Sequence, residues 1–307
     1  MEHYCEKKGD SMNRGQMMKG YLLVIFSAVV FGCMPLMVKN IYADGVNSLS
    51  VVLLRNMLSF PVVGLLAWRQ EGSLKIPLKA LPSVAMTGVV GCCLSPLLLF
   101  SAYAFMDSGT AMVLHFVYPA AVLAGGLLFY RERITVGAVL SIVICVAGMS
   151  LFYTPGAPLD WRGSVLAVVS GFAYAAYILM LSHFRFPEVK GFLLNFYIFL
   201  INSIVMLAVC SATDMLVFPT TLRGWAFSLL IAVAVNAGAV AMFQRGTQII
   251  GGQRAAILST MEPITGVFMG ILVFREVMTL RTGIGTVLVL LASVLIVLFD
   301  RKEAPAA

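Results

Sequence analysis

Charge is what this sequence has least of. Asp, Glu, Lys and Arg make up 11% of its 307 residues and 60% are hydrophobic, whereas a soluble domain carries about 25% charge. No polar stretch is long enough to fold alone as a soluble domain. Cys-x-x-Cys spacing is missing, and five of the six cysteines (Cys33, Cys92, Cys93, Cys145 and Cys210, but not Cys5) fall in apolar runs. They read as packing residues, not as a disulfide framework or a metal site. His-x-x-His pairs, acidic metal clusters, Gly-x-Ser-x-Gly and a Walker loop are missing too. That argues against an enzyme and leaves no cofactor or metal to expect. The formal charge of +7 is spread over short loops, so it forms no nucleic-acid patch.

What is present is long apolar runs. Hydrophobic periods and turn residues predict ten segments, at 20–39, 48–68, 82–104, 109–130, 134–153, 163–183, 191–211, 224–244, 253–274 and 279–299. At 1.5 Å per residue, about 20 residues cross the hydrocarbon core. The first 18 residues are polar. The run after them is too long for a signal-peptide core and lacks an Ala-x-Ala exit, so it reads as a retained first helix.

The runs repeat. Sliding the chain by 144 residues lays 111–132 on 255–276 without a gap. Leu114, Pro119, Gly126, Leu128, Arg131 and Glu132 then meet Leu258, Pro263, Gly270, Leu272, Arg275 and Glu276. Over 109–152 there are ten identities in 44 positions, where roughly three or four are expected by chance. Glu262 takes the place that Tyr118 holds in the first copy. With the N-terminus inside, the inner connections hold fifteen of the 21 Lys and Arg. The outer ones hold five (Lys39, Arg162, Arg223, Arg275 and Arg281), and Arg55 lies within the second segment. The bias places both termini in the cytoplasm. Five helices per copy is odd, so the copies cross in opposite senses. The expected fold is an all-α membrane protein with ten transmembrane helices in two inverted five-helix repeats, the plan of transporters that rock around a midplane site.

Several polar residues lie at membrane depth. Counting inward from the helix ends puts Glu262, Tyr118, Asn202, Asn236 and Tyr174 near the midplane. Ser259 shares a stripe with Glu262, and His115 shares one with Tyr118. These residues and Arg55 form the candidate substrate-binding set, the few polar groups of a mainly apolar cavity. Each also has a plainer role. Asn202 and Asn236 read equally as interhelical hydrogen bonds, Tyr174 and Tyr177 as packing, His115 as a structural hydrogen bond, and Arg55 as a snorkelling side chain. A bare carboxylate at Glu262 costs several kcal/mol and needs water, a partner or a proton. It is therefore the proton-coupling candidate, its plainer role being a protonated hydrogen bond to a neighbouring helix. Small residues mark seams at Gly163, Ala167, Gly171 and Ala175, and at Gly266 and Gly270.

Two motifs complete the pattern. Tyr118-Pro119 followed by Glu132-Arg133-Ile134-Thr135, and Met261-Glu262-Pro263 followed by Phe274-Arg275-Glu276, resemble the drug/metabolite transporter superfamily. The similar type is the ten-helix one with two EamA domains, and the resemblance covers about 18–300. His115-Phe116 departs from it, standing where many relatives have small or aliphatic residues. The resemblance implies an inner-membrane carrier with a central cavity, exporting amino acids or other small metabolites. The expected organisation is a cytoplasmic tail at 1–18, repeats at 19–153 and 162–300, and a cytoplasmic tail at 301–307. The expected partners are the lipid bilayer and a small-molecule substrate, with a homodimer admitted. A pore and, further off, a membrane-embedded enzyme are the competing classes; one central carboxylate fits alternating access better than a ring-lined filter.

The charge bias makes a topological prediction. A C-terminal green-fluorescent reporter should shine in the cytoplasm, and a C-terminal alkaline phosphatase should stay inactive. An active phosphatase fusion would reverse the orientation.

Overall fold

The computed structural model describes residues 14–106, 108–132, 134–151, 160–184, 189, 191–274 and 279–303. All regular structure among them is helical. Cys5, the Arg275-Glu276 pair and most of the loop expected to divide the halves lie outside the described residues.

The helical segments follow the expected order: α1 (Gly15–Tyr42), α2 (Ser48–Glu71), α3 (Leu78–Ala102), α4 (Thr110–Tyr130), α5 (Val136–Ser150), α6 (Trp161–His183), α7 (Gly191–Ala212) and α8 (Leu222–Ile250). Then come α9, in two helices at Gly252–Leu258 and Met261–Phe274, and α10 (Leu280–Glu303). Among the described residues seven segments are long and apolar enough to cross a membrane. α5 and the apolar part of α10, Gly283–Ala292, are shorter.

Local chemistry sets the boundaries. Asn47, Thr135, Asp160 and Thr221 cap α2, α5, α6 and α8 by accepting a first-turn backbone N–H. Gly72 ends α2 with φ of 68°, a conformation that costs glycine little. Proline divides others. Pro35 sits in the first turn after a break at Cys33 that splits α1 into Arg14–Gly32 and Met34–Tyr42. Pro119 and Pro263 follow breaks in α4 and α9, at 116–117 and 259–260. Both had been expected as continuous helices, but a proline has no N–H to bond the carbonyl four residues back.

The packing carries the duplication. α1 packs on α8 and α9, and α6 packs on α3 and α4. α2 packs on α7 and α5 on α10. Moving every helix five places along exchanges α1–α8 with α6–α3 and α1–α9 with α6–α4, and returns α2–α7 and α5–α10 to themselves. The first helix of each copy is thus enclosed by the third and fourth helices of the other. α5 and α10 support each other and turn Val136, Val143, Val287 and Val294 outward, as lipid contact requires.

Glycine makes the enclosure possible. A Cβ on Gly32 of α1 would lie 2.5 Å from the Glu262 carbonyl oxygen of α9. One on Gly171 of α6 would collide with the His115 carbonyl oxygen of α4. Both contacts meet backbone, which cannot swing away. Gly171→Ala should therefore cost about 1–3 kcal/mol of overpacking, read as a lower midpoint of thermal unfolding in detergent. Gly283→Ala, whose Cβ meets nothing within 4 Å, should leave the midpoint unchanged or raise it. Equal effects at the two positions would refute the close approach.

Candidate functional site

The prolines behind the breaks in α4 and α9 are 144 residues apart, and the breaks face the same interior. In α9, Pro263 deprives the Ser259 carbonyl of its helical donor, and the Glu262 N–H takes that place at 3.0 Å. The Ser259 hydroxyl donates to Ala255 O at 2.9 Å and the Thr260 hydroxyl to Ile257 O at 2.5 Å. In α4, Pro119 frees the His115 carbonyl, which lies against Gly171. Each second half-helix starts with a polar side chain in its first turn, Tyr118 or Glu262.

Aromatic rings surround the breaks. The Tyr118 ring centroid is 4.9 Å from that of Tyr174, edge to face, and 5.5 Å from His115. Tyr174 stacks on Tyr177 at 5.8 Å and on Phe243 at 5.9 Å. One cluster thus joins α4, α6 and α8. His115 Nδ1 lies 2.7 Å from Ser170 Oγ. That hydroxyl gives its own proton to Ala167 O at 2.6 Å, so the imidazole donates and Nε2 keeps its lone pair. The Gln244 amide donates to the Tyr177 hydroxyl at 3.0 Å. The Tyr118 hydroxyl lies beside Ser259 without a well-formed hydrogen bond.

Two ionisable side chains of opposite sign lie in this interior, and they do not pair. Arg55 is 3% exposed. Its Nε donates to Asn236 Oδ1 at 2.9 Å, with Nη2 on the same oxygen. Asn236 Nδ2 returns a bond to the Arg55 carbonyl at 2.8 Å. The guanidinium also lies over the Phe100 ring, 5.8 Å from its centroid. Tyr103 packs on the Phe100 ring, 6.0 Å between centroids. Glu262 is 6% exposed, and no described residue hydrogen-bonds its carboxyl. A buried charge needs a partner, a proton or water.

The two ends of the bundle are tied across the copies. At one end Asp44, between α1 and α2, accepts from Thr220 N at 2.8 Å, the Thr220 hydroxyl at 2.9 Å and Thr221 N at 3.0 Å, before α8. At the other, Glu132 after α4 meets His183 Nε2 of α6 at 3.0 Å and Gln253 Nε2 of α9 at 2.6 Å. His183 Nδ1 faces Leu179 O at 3.0 Å, so both ring nitrogens meet acceptors, the arrangement of an imidazolium. The Tyr130 ring stacks on it at 3.6 Å.

The EamA-like transporter family model matches this chain twice, over residues 18–154 and 161–298. The chain belongs to the EamA-like transporter family. A transporter of Archaeoglobus fulgidus, itself uncharacterized, is 27% identical over 277 residues, 90% of this chain and 95% of that one. An uncharacterized inner membrane transporter of Salmonella typhimurium, YicL, is 26% identical over 235 residues, 73% of this chain and 76% of its own. One crystal structure superposes with a TM-score of 0.74 at 15% identity, covering 92% of this chain and 98% of that one; it bears on the fold alone. The family and these relatives point to a transporter and away from an enzyme.

Within this EamA fold, His115, Tyr118, Tyr174, Ser259 and Glu262 come together at the breaks. Arg55 and Asn236 adjoin them as a bonded pair. Asn202 stands apart on α7, where its amide donates to Gly88 O of α3 at 3.1 Å. Gln244, eight residues after Asn236 and on the same helix face in the sequence, lies beside Tyr177. Phe243, Phe100 and Tyr103 carried no signal in an apolar chain. Glu132 has His183 and Gln253 as described partners.

Glu132 makes a pH prediction. Burial pushes its pKa up, but the hydrogen bonds from His183 and Gln253 outweigh this and hold it below the usual carboxylate value. A depressed pKa contributes stability that is full above the usual value of 4.5 and lost as pH falls through the folded one. Glu132→Gln should therefore melt about 2–4 °C below wild type at pH 7, and the gap should close by pH 3. A gap that survives at pH 3 would show that the ionised carboxylate is not what stabilises this end.

Proposed function

We propose that this EamA-like transporter is a secondary carrier that moves a small zwitterionic metabolite, of amino-acid type, by alternating access. The observation that carries this reading is the pair of buried ionisable side chains of opposite sign, Arg55 and Glu262, which form no ion pair with each other. A substrate with a carboxylate and an ammonium supplies both missing partners at once. The guanidinium takes the carboxylate as a fork, with Asn236 holding it in place. Glu262 takes the ammonium, and the faces of Tyr118 and Tyr174 add cation–π attraction. Ser259 and the free Nε2 of His115 are further acceptors for substrate N–H groups. Asn202 supports α3.

The family resemblance supports export across the inner membrane, and the charge bias supports both termini in the cytoplasm. Glu262 is the coupling group. A carboxyl that ionises when the cavity is wet and takes a proton when it closes ties proton movement to substrate movement.

Two substitutions test the reading in proteoliposomes loaded with an amino-acid library. Arg55→Lys should weaken transport, because a point charge does not replace the fork, and Arg55→Gln should abolish it. Losing a charge-assisted bond corresponds to about 10–100-fold in apparent affinity. Full transport by Arg55→Gln would leave the arginine as a purely structural bond to Asn236.

Glu262→Gln is nearly isosteric with the protonated acid and does not titrate. With Glu262 in both roles, the variant should bind a zwitterion more weakly and lose its response to an imposed pH gradient. Full binding with the response lost would leave coupling alone, and weak binding with the response kept would leave the ammonium contact alone. Wild-type transport with unchanged pH dependence would eliminate both roles.

A further inference from the structure

Among the described residues two helices widen into π geometry in their interiors, and they are repeat mates. α3 is a π-helix over Val89–Leu94, and α8 is one over Ile231–Val240. Adding 144 to 89–94 gives 233–238, inside the second stretch. π turns are rare, and they concentrate at functional positions.

A donor from the opposite copy meets each stretch at its start. Asn202 of α7 donates to Gly88 O, just before the π turn of α3, at 3.1 Å. Ser59 of α2 donates to Ala232 O, in the first π turn of α8, at 2.9 Å, sharing its proton with the Arg55 carbonyl. Subtracting 144 from Ala232 gives Gly88. Subtracting it from Ser203, the neighbour of Asn202, gives Ser59. To within one residue, these are the same bond made twice. Asn202 and Ser59 are fully buried, so no water competes for either carbonyl. A side chain that inserts into the helical ladder in this way holds the wide turn open.

The copies differ in one respect: the π stretch is six residues long in α3 and ten in α8. In an inverted-repeat carrier, rocking one copy against the other opens the site to each side in turn, and each copy then takes the conformation the other had. We propose that the π stretches of α3 and α8 are paired hinges whose unequal lengths exchange as the carrier alternates, with Asn202 and Ser59 as the positioning residues that hold them. This rests on the alternating-access reading. The hinge also reaches the substrate site. Asn236, which grips Arg55, lies in the long stretch, and its mate Cys92, 3.9 Å from the Tyr177 hydroxyl, lies in the short one. Each residue of register in a helix is about 100° of rotation, so exchange turns Asn236 relative to Arg55.

Distance measurements in lipid nanodiscs test this, with spin labels on unnatural amino acids so that the native cysteines remain. Labels at Ser73 and Gln248 report one end of the bundle, and labels at Ala104 and Ala212 the other; all four positions are exposed. Wild type should show two populations at each end, one end long when the other is short. Asn202→Leu and Ser59→Ala should shift these populations at least threefold in opposite directions. The double variant should return near to wild type, and Ser59→Thr, which keeps the hydroxyl, should match it. Local loosening would lengthen distances without this reciprocity. Shifts in the same direction, or none, would overturn the hinges while wild-type reciprocity kept the carrier. Wild type without reciprocity would overturn both.

Discussion

Two missing backbone protons shape the centre of this protein. Pro119 and Pro263 interrupt helices where no bulk water replaces the lost hydrogen bonds. Each freed carbonyl must be met by something close. In α9 the answer is local: the Glu262 N–H closes on Ser259, and the Ser259 and Thr260 hydroxyls fold back on the preceding turn. In α4 the answer comes from outside, with Gly171 of α6 bringing its backbone against His115. A side chain at that glycine would part the two copies at their centre. The centre thus holds two breaks, one closed locally and one lying against the other copy.

The same breaks explain why polar chemistry survives at this depth. A helix interrupted at mid-span places the first turn of its second half in the interior, where the partial positive charge of that terminus favours a negative or polar group. Glu262 and Tyr118 occupy those turns. Arg55 is held differently: it reaches from α2 to Asn236 on a π-helical stretch of α8, so a bond between the two copies sets the position of the guanidinium. The rings of Tyr118, Tyr174, Tyr177 and Phe243 pack together across α4, α6 and α8 at the same depth.

The ties at the two ends differ in kind. Asp44 holds the start of α8 through exposed backbone and hydroxyl donors, which water readily replaces. Glu132 joins three helices through a half-buried imidazole and amide. Both ties join one copy to the other, so movement of the copies has to break or remake them in turn.

The class, the duplication and the inverted plan were legible from sequence, because hydrophobic length and lysine–arginine bias are properties of single segments and need no neighbour. Glu262, Tyr118 and Arg55 were legible too, since an ionisable or polar group in an apolar run stands out wherever the run packs. Which of these residues meet was decided only by the tertiary structure. Asn202 and Asn236 look alike in sequence, yet one braces α3 and the other holds Arg55; the choice depends on which helix of the other copy lies opposite. Phe243 and Tyr103 were invisible for the same reason, as an aromatic ring in an apolar chain has no function until its neighbours are known. The π stretches left no mark in the sequence either: their bonding partners, Ser59 and Asn202, lie more than a hundred residues away, in the opposite copy.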